Sequence, residues 1–460
     1  MTNDQQVEVL RGKVEELNAV SPTFCLAKWK QTTTTLYNGM THSCHHPAQH
    51  KILVSDIINN PRGLHNTPTK LRARQDMLDG VQPAECDYCW NIENLSRDHF
   101  SDRHRKSADV GSGIWGTLEE VKASGIGENI DPSYMEVAFE NTCNFKCSYC
   151  SPDVSSRWME EVQAHGPYQL AHQKHHDVHW LETTGRFPIH HRDINPYIDA
   201  FWEWWPDLYQ SLRTFRITGG EPLLSANTWK IMSYLIEHPR KDFQFSVNTN
   251  MNVPKKLIDK LITNVNALHP LIEEVTIFTS AEGTGPQQEY SRFGMDWDTF
   301  TANCERFLDE TPPNVKMQIM TTVNLFSVST FDKFLMWVGD LRAKYNVDRA
   351  SNRIGFTVSY LRWPGFLSLT LLSSAEKEAF AKRLRAVIVN SAADKHRRFY
   401  LEEIDMIERL ISFIESVDAD QVKELQNFRT FIDEYDARRG TDFHKTFPEL
   451  AELYTKGELP

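Results

Sequence analysis

Tyr134-Met135-Glu136-Val137-Ala138-Phe139-Glu140-Asn141-Thr142-Cys143-Asn144-Phe145-Lys146-Cys147-Ser148-Tyr149-Cys150 is the stretch on which the reading of this chain turns. Met135–Phe139 is a short run of strand type. Three cysteines spaced C-x3-C-x2-C follow it directly. Three thiolates on one tight loop can ligate three irons of a [4Fe-4S] cube and leave the fourth iron open. Zinc, the competing reading, needs a fourth protein ligand nearby.

Outward from this loop, short apolar runs alternate with helical stretches. Strands are predicted at Met135–Phe139, Thr214–Thr218, Phe243–Val247, Glu274–Thr279, Lys316–Val323 and Arg353–Tyr360. Helices are predicted at Asn227–Glu237, Lys255–Asn264, Asp298–Leu308, Thr330–Lys344 and Ala375–Asn390. Strands alternating with helices read as a parallel α/β unit. With the cysteine loop just after the first strand, a partial (β/α)6 barrel fits better than an open doubly wound sheet, and the functional groups belong at the C-terminal strand ends. The run Arg216-Ile217-Thr218-Gly219-Gly220-Glu221-Pro222 stands at such an end, about seventy residues after the cysteines. Its glycines permit close backbone approach, and Glu221 adds a carboxylate.

The 460 residues suggest two or three packed units. The expected division is a Cys-rich module over 1–130, the α/β unit over 131–395, and a helical extension over 396–460, with amphipathic stretches at Ile404–Val417 and Val422–Tyr435. Residues 1 to about 110 look poor in strands but hold Cys25, Cys44, Cys86 and Cys89, half of the eight cysteines. Four thiolates suit either structural zinc or an auxiliary iron–sulfur cluster, with His45 or His46 as substitutes for one of them. An iron–sulfur cluster is preferred beside a second one. An insertion at about 151–198 carries His165, His172, His175, His176, His179, His190 and His191 in no compact ligand spacing, so it reads as a lid or solvated loop rather than a zinc site. Cys304 shares a helical face with Trp297, Phe300 and Phe307 and reads as core.

A formal charge of −12 argues against a general nucleic-acid binder. No run reaches the about 18 apolar residues that span a bilayer, and the N-terminus lacks the pattern of a secretion signal. A cytoplasmic setting with reduced cysteines is the expectation.

In these motifs, residues 134 to about 370 resemble the core domain of radical S-adenosylmethionine (SAM) enzymes. The runs Cys25-Leu26-Ala27-Lys28-Trp29, Ser43-Cys44-His45-His46-Pro47 and Glu85-Cys86-Asp87-Tyr88-Cys89-Trp90 resemble those of N-terminal twitch radical SAM proteins. The resemblance implies that Cys143, Cys147 and Cys150 hold a cluster whose open iron chelates SAM, and that one electron then breaks the sulfonium C–S bond. It implies Tyr149 against the adenine, and Gly219, Gly220, Glu221 and Pro222 lining the methionine amino group. Ser246, Asn248 and Asn250 would lie near the ribose or the methionyl carboxylate. Ser280-Ala281-Glu282-Gly283, followed by Arg292, resembles the S-x-D-G…R pattern of peptide-modifying members, with Glu282 where Asp is usual. Arg292 is then the candidate for the SAM carboxylate, since guanidinium forks onto carboxylate, and Asn324 is a further candidate. The implied partners are a flavodoxin or ferredoxin reductant and a peptide or protein substrate. Modification of a small molecule or RNA base is one alternative. A non-catalytic iron–sulfur electron carrier or redox sensor is the other.

Overall fold

A computed structural model describes residues 3–95, 100–171, 176–190, 192–346, 352–416 and 422–457. Its strands are β1 (Gln31–Thr35), β2 (Met40–His42), β3 (His50–Lys51), β4 (Tyr134–Ala138), β5 (Lys146–Cys147), β6 (Thr214–Thr218), β7 (Gln244–Asn248), β8 (Glu274–Ser280), β9 (Arg292–Phe293), β10 (Lys316–Val323) and β11 (Ile354–Tyr360). Nine of these form one mostly parallel sheet in the order β3-β2-β1-β4-β6-β7-β8-β10-β11, and β5 pairs with β9 separately. The fold is therefore mixed α/β. The six strands expected from apolar runs are all present within a residue of their predicted bounds.

The first 110 residues, read as poor in strands, supply β1, β2 and β3. β1 is Gln-Thr-Thr-Thr-Thr, a hydrophilic run whose β-branched threonines favour extended backbone but give no apolar alternation. It pairs in parallel with β4 from Gln31↔Tyr134 to Thr35↔Ala138. The buried hydroxyls of Thr32 on β1 and Thr41 on β2 share a partner: Lys70 Nζ donates to Thr32 Oγ1 at 2.8 Å and to Thr41 Oγ1 at 2.9 Å. Pairing of this kind lets a strand bury hydroxyls.

The chain divides into two compact units. The first comprises Met1–Glu140, Gly185–Gly219 and Arg240–Ser246, and the second Asn141–Thr184, Gly220–Pro239 and Val247–Pro460, so the boundary runs through β7. β4 and β6 group with the N-terminal segment, and the C-terminal extension groups with the cysteine loop. In the first unit an apolar cluster of Leu17, Phe24, Leu26, Trp29, Met77 and Trp90 carries the cysteine-bearing segments.

In the second unit β10 alternates half-buried and buried residues along its whole length. The helix Trp297–Glu310 starts at Asp296, which accepts from Thr299 N–H at 2.6 Å, and it buries Phe300, Cys304 and Phe307 on one face. The capping box Ser373/Glu376 opens Ser374–Ala393. The C-terminal extension forms Leu401–Ser416 and Val422–Arg439; Val417 lies outside the described residues.

The histidine-rich insertion is not simply a solvated loop. His176 is buried, its ring 4.3 Å from that of Trp158 and 4.7 Å from that of Tyr168. His165 ends the helix Ser156–His165, and His179 is exposed beside Glu182. His172, His175 and His191 lie outside the described residues. No helix among the described residues is long and apolar enough to cross a membrane.

Candidate functional site

The cysteine loop leaves β4 and is held on several sides by its own unit. β5 pairs with β9 in the register Lys146↔Phe293 and Cys147↔Arg292, so the Ser280…Arg292 segment lies directly against it. Ser155 caps the following helix and donates through Oγ to Phe145 O at 2.8 Å. Cys143 N–H donates to Ser156 Oγ at 3.1 Å, and Trp158 Nε1–H to Cys147 O at 2.7 Å. The three thiols sense one another. Burial pushes Cys143 up to about 12. A hydrogen bond from Cys150 together with the Arg292 charge holds Cys147 below its ordinary value, and Cys150 is correspondingly raised. A desolvated soft donor set that loses its protons to a bound cation fits an iron–sulfur cluster. Among the described residues no three His, Cys, Asp or Glu side chains converge tightly enough for a single metal ion. Ligands on separate irons of a cube stand further apart than ligands of one zinc.

The Gly219–Pro222 turn packs against the root of the cysteine loop. Gly219 has φ +122°, and a Cβ there would stand 2.6 Å from Glu140 O. A Cβ on Gly220 would stand 2.3 Å from Thr142 O. The glycines thus let two backbones touch at the root of the cysteine loop. Glu221 N–H donates to Thr142 O at 2.7 Å. Its carboxylate accepts from Leu223 N–H at 3.0 Å and from Asn250 N–H at 2.6 Å. Glu221 therefore ties the cysteine loop, its own turn and the segment after β7 together.

Burial raises the Glu221 carboxyl to about 7, against the backbone donors that lower it. The folded state then holds this proton more tightly than the unfolded chain. The associated stability is complete below about 4.5 and is lost as pH rises through about 7, a swing on the order of 3 kcal/mol. Glu221→Gln is expected to flatten that part of the stability–pH curve, measured by urea unfolding between pH 5 and 8. An unchanged slope would refute the assignment.

Arg292, the candidate for the SAM carboxylate, is paired with a carboxylate of the protein. Nε donates to Glu282 Oε1 at 2.9 Å and Nη2 to Oε2 at 2.6 Å, with both residues buried. Two parallel charge-assisted bonds satisfy the fork. Tyr149 OH donates to the same carboxylate at 3.3 Å, and the Arg292 guanidinium lies 5.6 Å from the Tyr149 ring centre. Asn324 is likewise engaged: it caps a short turn, accepting from Phe326 N–H at 3.0 Å and donating to Thr322 O at 2.9 Å. Asn250 Nδ2 donates to Asn144 Oδ1 at 2.7 Å, bracing the cysteine loop, and Asn248 contacts Met320 Sδ at 3.8 Å. Ser246 is buried on β7, and Ser280 is half-buried at the end of β8.

The sequence reading missed Arg439. It ends the helix Val422–Arg439, where a basic residue is ordinary. Here its side chain is fully buried, donates to Lys146 O at 2.8 Å and pairs with Glu161 at 3.0 Å. The guanidinium lies 3.8 Å from the Tyr435 ring centre and 4.4 Å from that of Trp158. Burial alone would raise the Glu161 carboxyl, but donors from Arg439, Lys146 and Tyr168 hold it at about 2.

In the first unit Cys25, Cys44, Cys86 and Cys89 line one pocket, with Lys28 and Asp102 in its wall. Cys86 and Cys89 stand at the start of the helix Asp87–Glu93, and burial pushes each thiol up to about 12. Lys28 is buried and pairs with Glu85. His46 Nε2 is 2.8 Å from Asp102 Oδ2, and its ring stacks 3.7 Å from that of Tyr88. Cys304 belongs to neither site.

No family model matches the chain. It is 23% identical over 137 residues to GTP 3',8-cyclase of Aliarcobacter butzleri, a radical SAM enzyme. The match covers 30% of this chain and 32% of that protein, so the chain spans about a third of the length of this relative. That similarity, joined to a C-x3-C-x2-C loop braced by a Gly-Gly-Glu-Pro turn, supports placing the chain in the radical SAM superfamily.

Proposed function

We propose that this chain is a radical SAM enzyme acting on a peptide or protein side chain, with β4, β6, β7, β8, β10 and β11 as the strands of a partial (β/α)6 barrel. The observation that carries the reading is the convergence of Cys143, Cys147 and Cys150 on one loop, braced by Glu221 and Asn250 and flanked by the Tyr149–Glu282–Arg292 group. The three cysteines would hold the [4Fe-4S] cluster, and SAM would complete its fourth iron. When bound, the cluster would supply one-electron reductive cleavage of the SAM sulfonium C–S bond, with methionine as the leaving group, for hydrogen abstraction from substrate. The chain's own contribution is placement. Glu221 and Asn250 fix the loop, and Glu282 fixes the Tyr149 hydroxyl and so its ring. A flavodoxin or ferredoxin in a reducing cytoplasm would deliver the electron.

The peptide substrate rests on the twitch-like runs and the Ser280…Arg292 segment. Anaerobic protein given SAM and dithionite is expected to release 5'-deoxyadenosine. Iron-loaded protein that neither binds SAM nor releases this product would instead be an electron carrier. The similarity to a GTP cyclase favours a second reading, a nucleotide substrate, for which GTP would accelerate 5'-deoxyadenosine release.

Cys25, Cys44, Cys86 and Cys89 would hold an auxiliary iron–sulfur cluster. Support comes from their shared pocket and from the buried Lys28 charge beside Cys86 and Cys44, which offsets thiolate charge. Cys89→Ala is expected to reduce iron from about eight to about four per chain. Wild type holding one zinc and four irons, with Cys89→Ala keeping the four irons and losing the zinc, would make this module a structural staple.

A further inference from the structure

A row of polar side chains crosses four strands of the first unit in register: His42 on β2, Thr33 on β1, Glu136 on β4 and Arg216 on β6. Residues in register across a sheet share a face. The residues flanking this row in β4 and β6 point the other way: Met135, Val137, Phe215 and Ile217 are all at most 1% exposed. One face of these strands is thus core and the other is polar.

Two atoms of the row stand out. Thr33 Oγ1 and Glu136 Oε2 are buried and make no hydrogen bond among the described residues. Thr33 is only 6% exposed. The Glu136–Arg216 ion pair is loose, with Nη1 at 3.9 Å from Oε2 although both side chains are 14% exposed. Arg216 is also engaged by the Tyr134 hydroxyl, so its charge reaches Glu136 without closing to a hydrogen bond, and Glu136 Oε2 keeps its unmet demand for a donor. At the end of the row His42 Nδ1 donates to Cys44 O, which leaves Nε2 as an acceptor. The row thus offers an acceptor at His42, a hydroxyl at Thr33, an anionic acceptor at Glu136 and a cationic donor at Arg216.

The geometry points to a substrate subsite on this row for an amide edge, an N–H beside a C=O. The N–H donates to Glu136 Oε2, and the carbonyl accepts from Arg216. The Thr33 hydroxyl turns to suit either. A peptide bond carries this edge, and so does the lactam of a guanine base. What is done to the bound group rests on the radical SAM reading above, but its binding does not.

The test uses the full chain, purified anaerobically and loaded with iron. N-acetyl amino acid N-methylamides and guanosine are titrated into wild type, Glu136→Gln, Arg216→Gln and Thr33→Val by ligand-observed NMR. Wild type is expected to bind one probe class, and Glu136→Gln and Arg216→Gln to bind it at least tenfold more weakly. Thr33→Val, which keeps shape and strand propensity, is expected to weaken it several-fold and guards against a folding artefact. Preference for the methylamides assigns the peptide source, and preference for guanosine the base. Equal binding by all four proteins, or no binding of either probe to wild type, overturns the subsite. Wild type that binds a probe but loads no iron would sink the cluster reading and leave the subsite standing.

Discussion

Cys147→Ala is expected to abolish 5'-deoxyadenosine formation and to strip iron from the SAM-cleaving site. Cys147 sits at the centre of the loop, in the β5–β9 pair, with its carbonyl held by Trp158 Nε1. Three ligands are the minimum that leaves one iron of a cube open, so losing one removes the site rather than weakening it. The fall should reach background, a factor of at least about 10^4 where hydrogen abstraction has no other route. The anchors that shape the loop remain, so the protein should stay folded, with unchanged far-UV circular dichroism. About four irons retained at the N-terminal cysteines would accompany this result. Wild-type levels of 5'-deoxyadenosine from this variant would remove the central assignment.

Arg439→Met should be the most destabilising single change in the C-terminal extension. Methionine keeps much of the volume between Trp158 and Tyr435 but leaves Glu161 short of its bidentate partner and Lys146 O without its donor. Breaking a buried pair by removing one member costs about 3–5 kcal/mol, because the other charge stays buried. The urea midpoint should fall, and iron loading should fall with it, since the donor lost is to the residue before Cys147. The double variant Arg439→Met/Glu161→Gln should lose less than the two singles combined. A midpoint shift equivalent to less than about 0.5 kcal/mol would show the contact to be incidental.

The cysteine loop was legible in the sequence because ligand spacing within eight residues is a local property. The six strands were legible because apolar alternation is local too. β1 escaped because its threonines carry no apolar period; its place follows from pairing with β4, about a hundred residues on, and from Lys70 beneath its hydroxyls. The glycines of Gly219-Gly220 were legible as a site of close approach, but what approaches is the root of the cysteine loop. Arg292 was assigned to a ligand because a guanidinium seeks a carboxylate, and the sequence held no sign that Glu282 would be the one it found.

The sequence by itself determined the α/β class, the positions of the six apolar strands and the cysteine loop, since each depends on spacings of a few residues that the backbone converts directly into geometry. Only the tertiary structure decided the partners of the buried charges. Glu282 takes Arg292, Glu161 takes Arg439 across 278 positions, and Glu221 takes the backbone of Asn250. A buried charge must be paired, but its pattern along the chain does not say with which group. That choice is made by which strands and helices pack side by side.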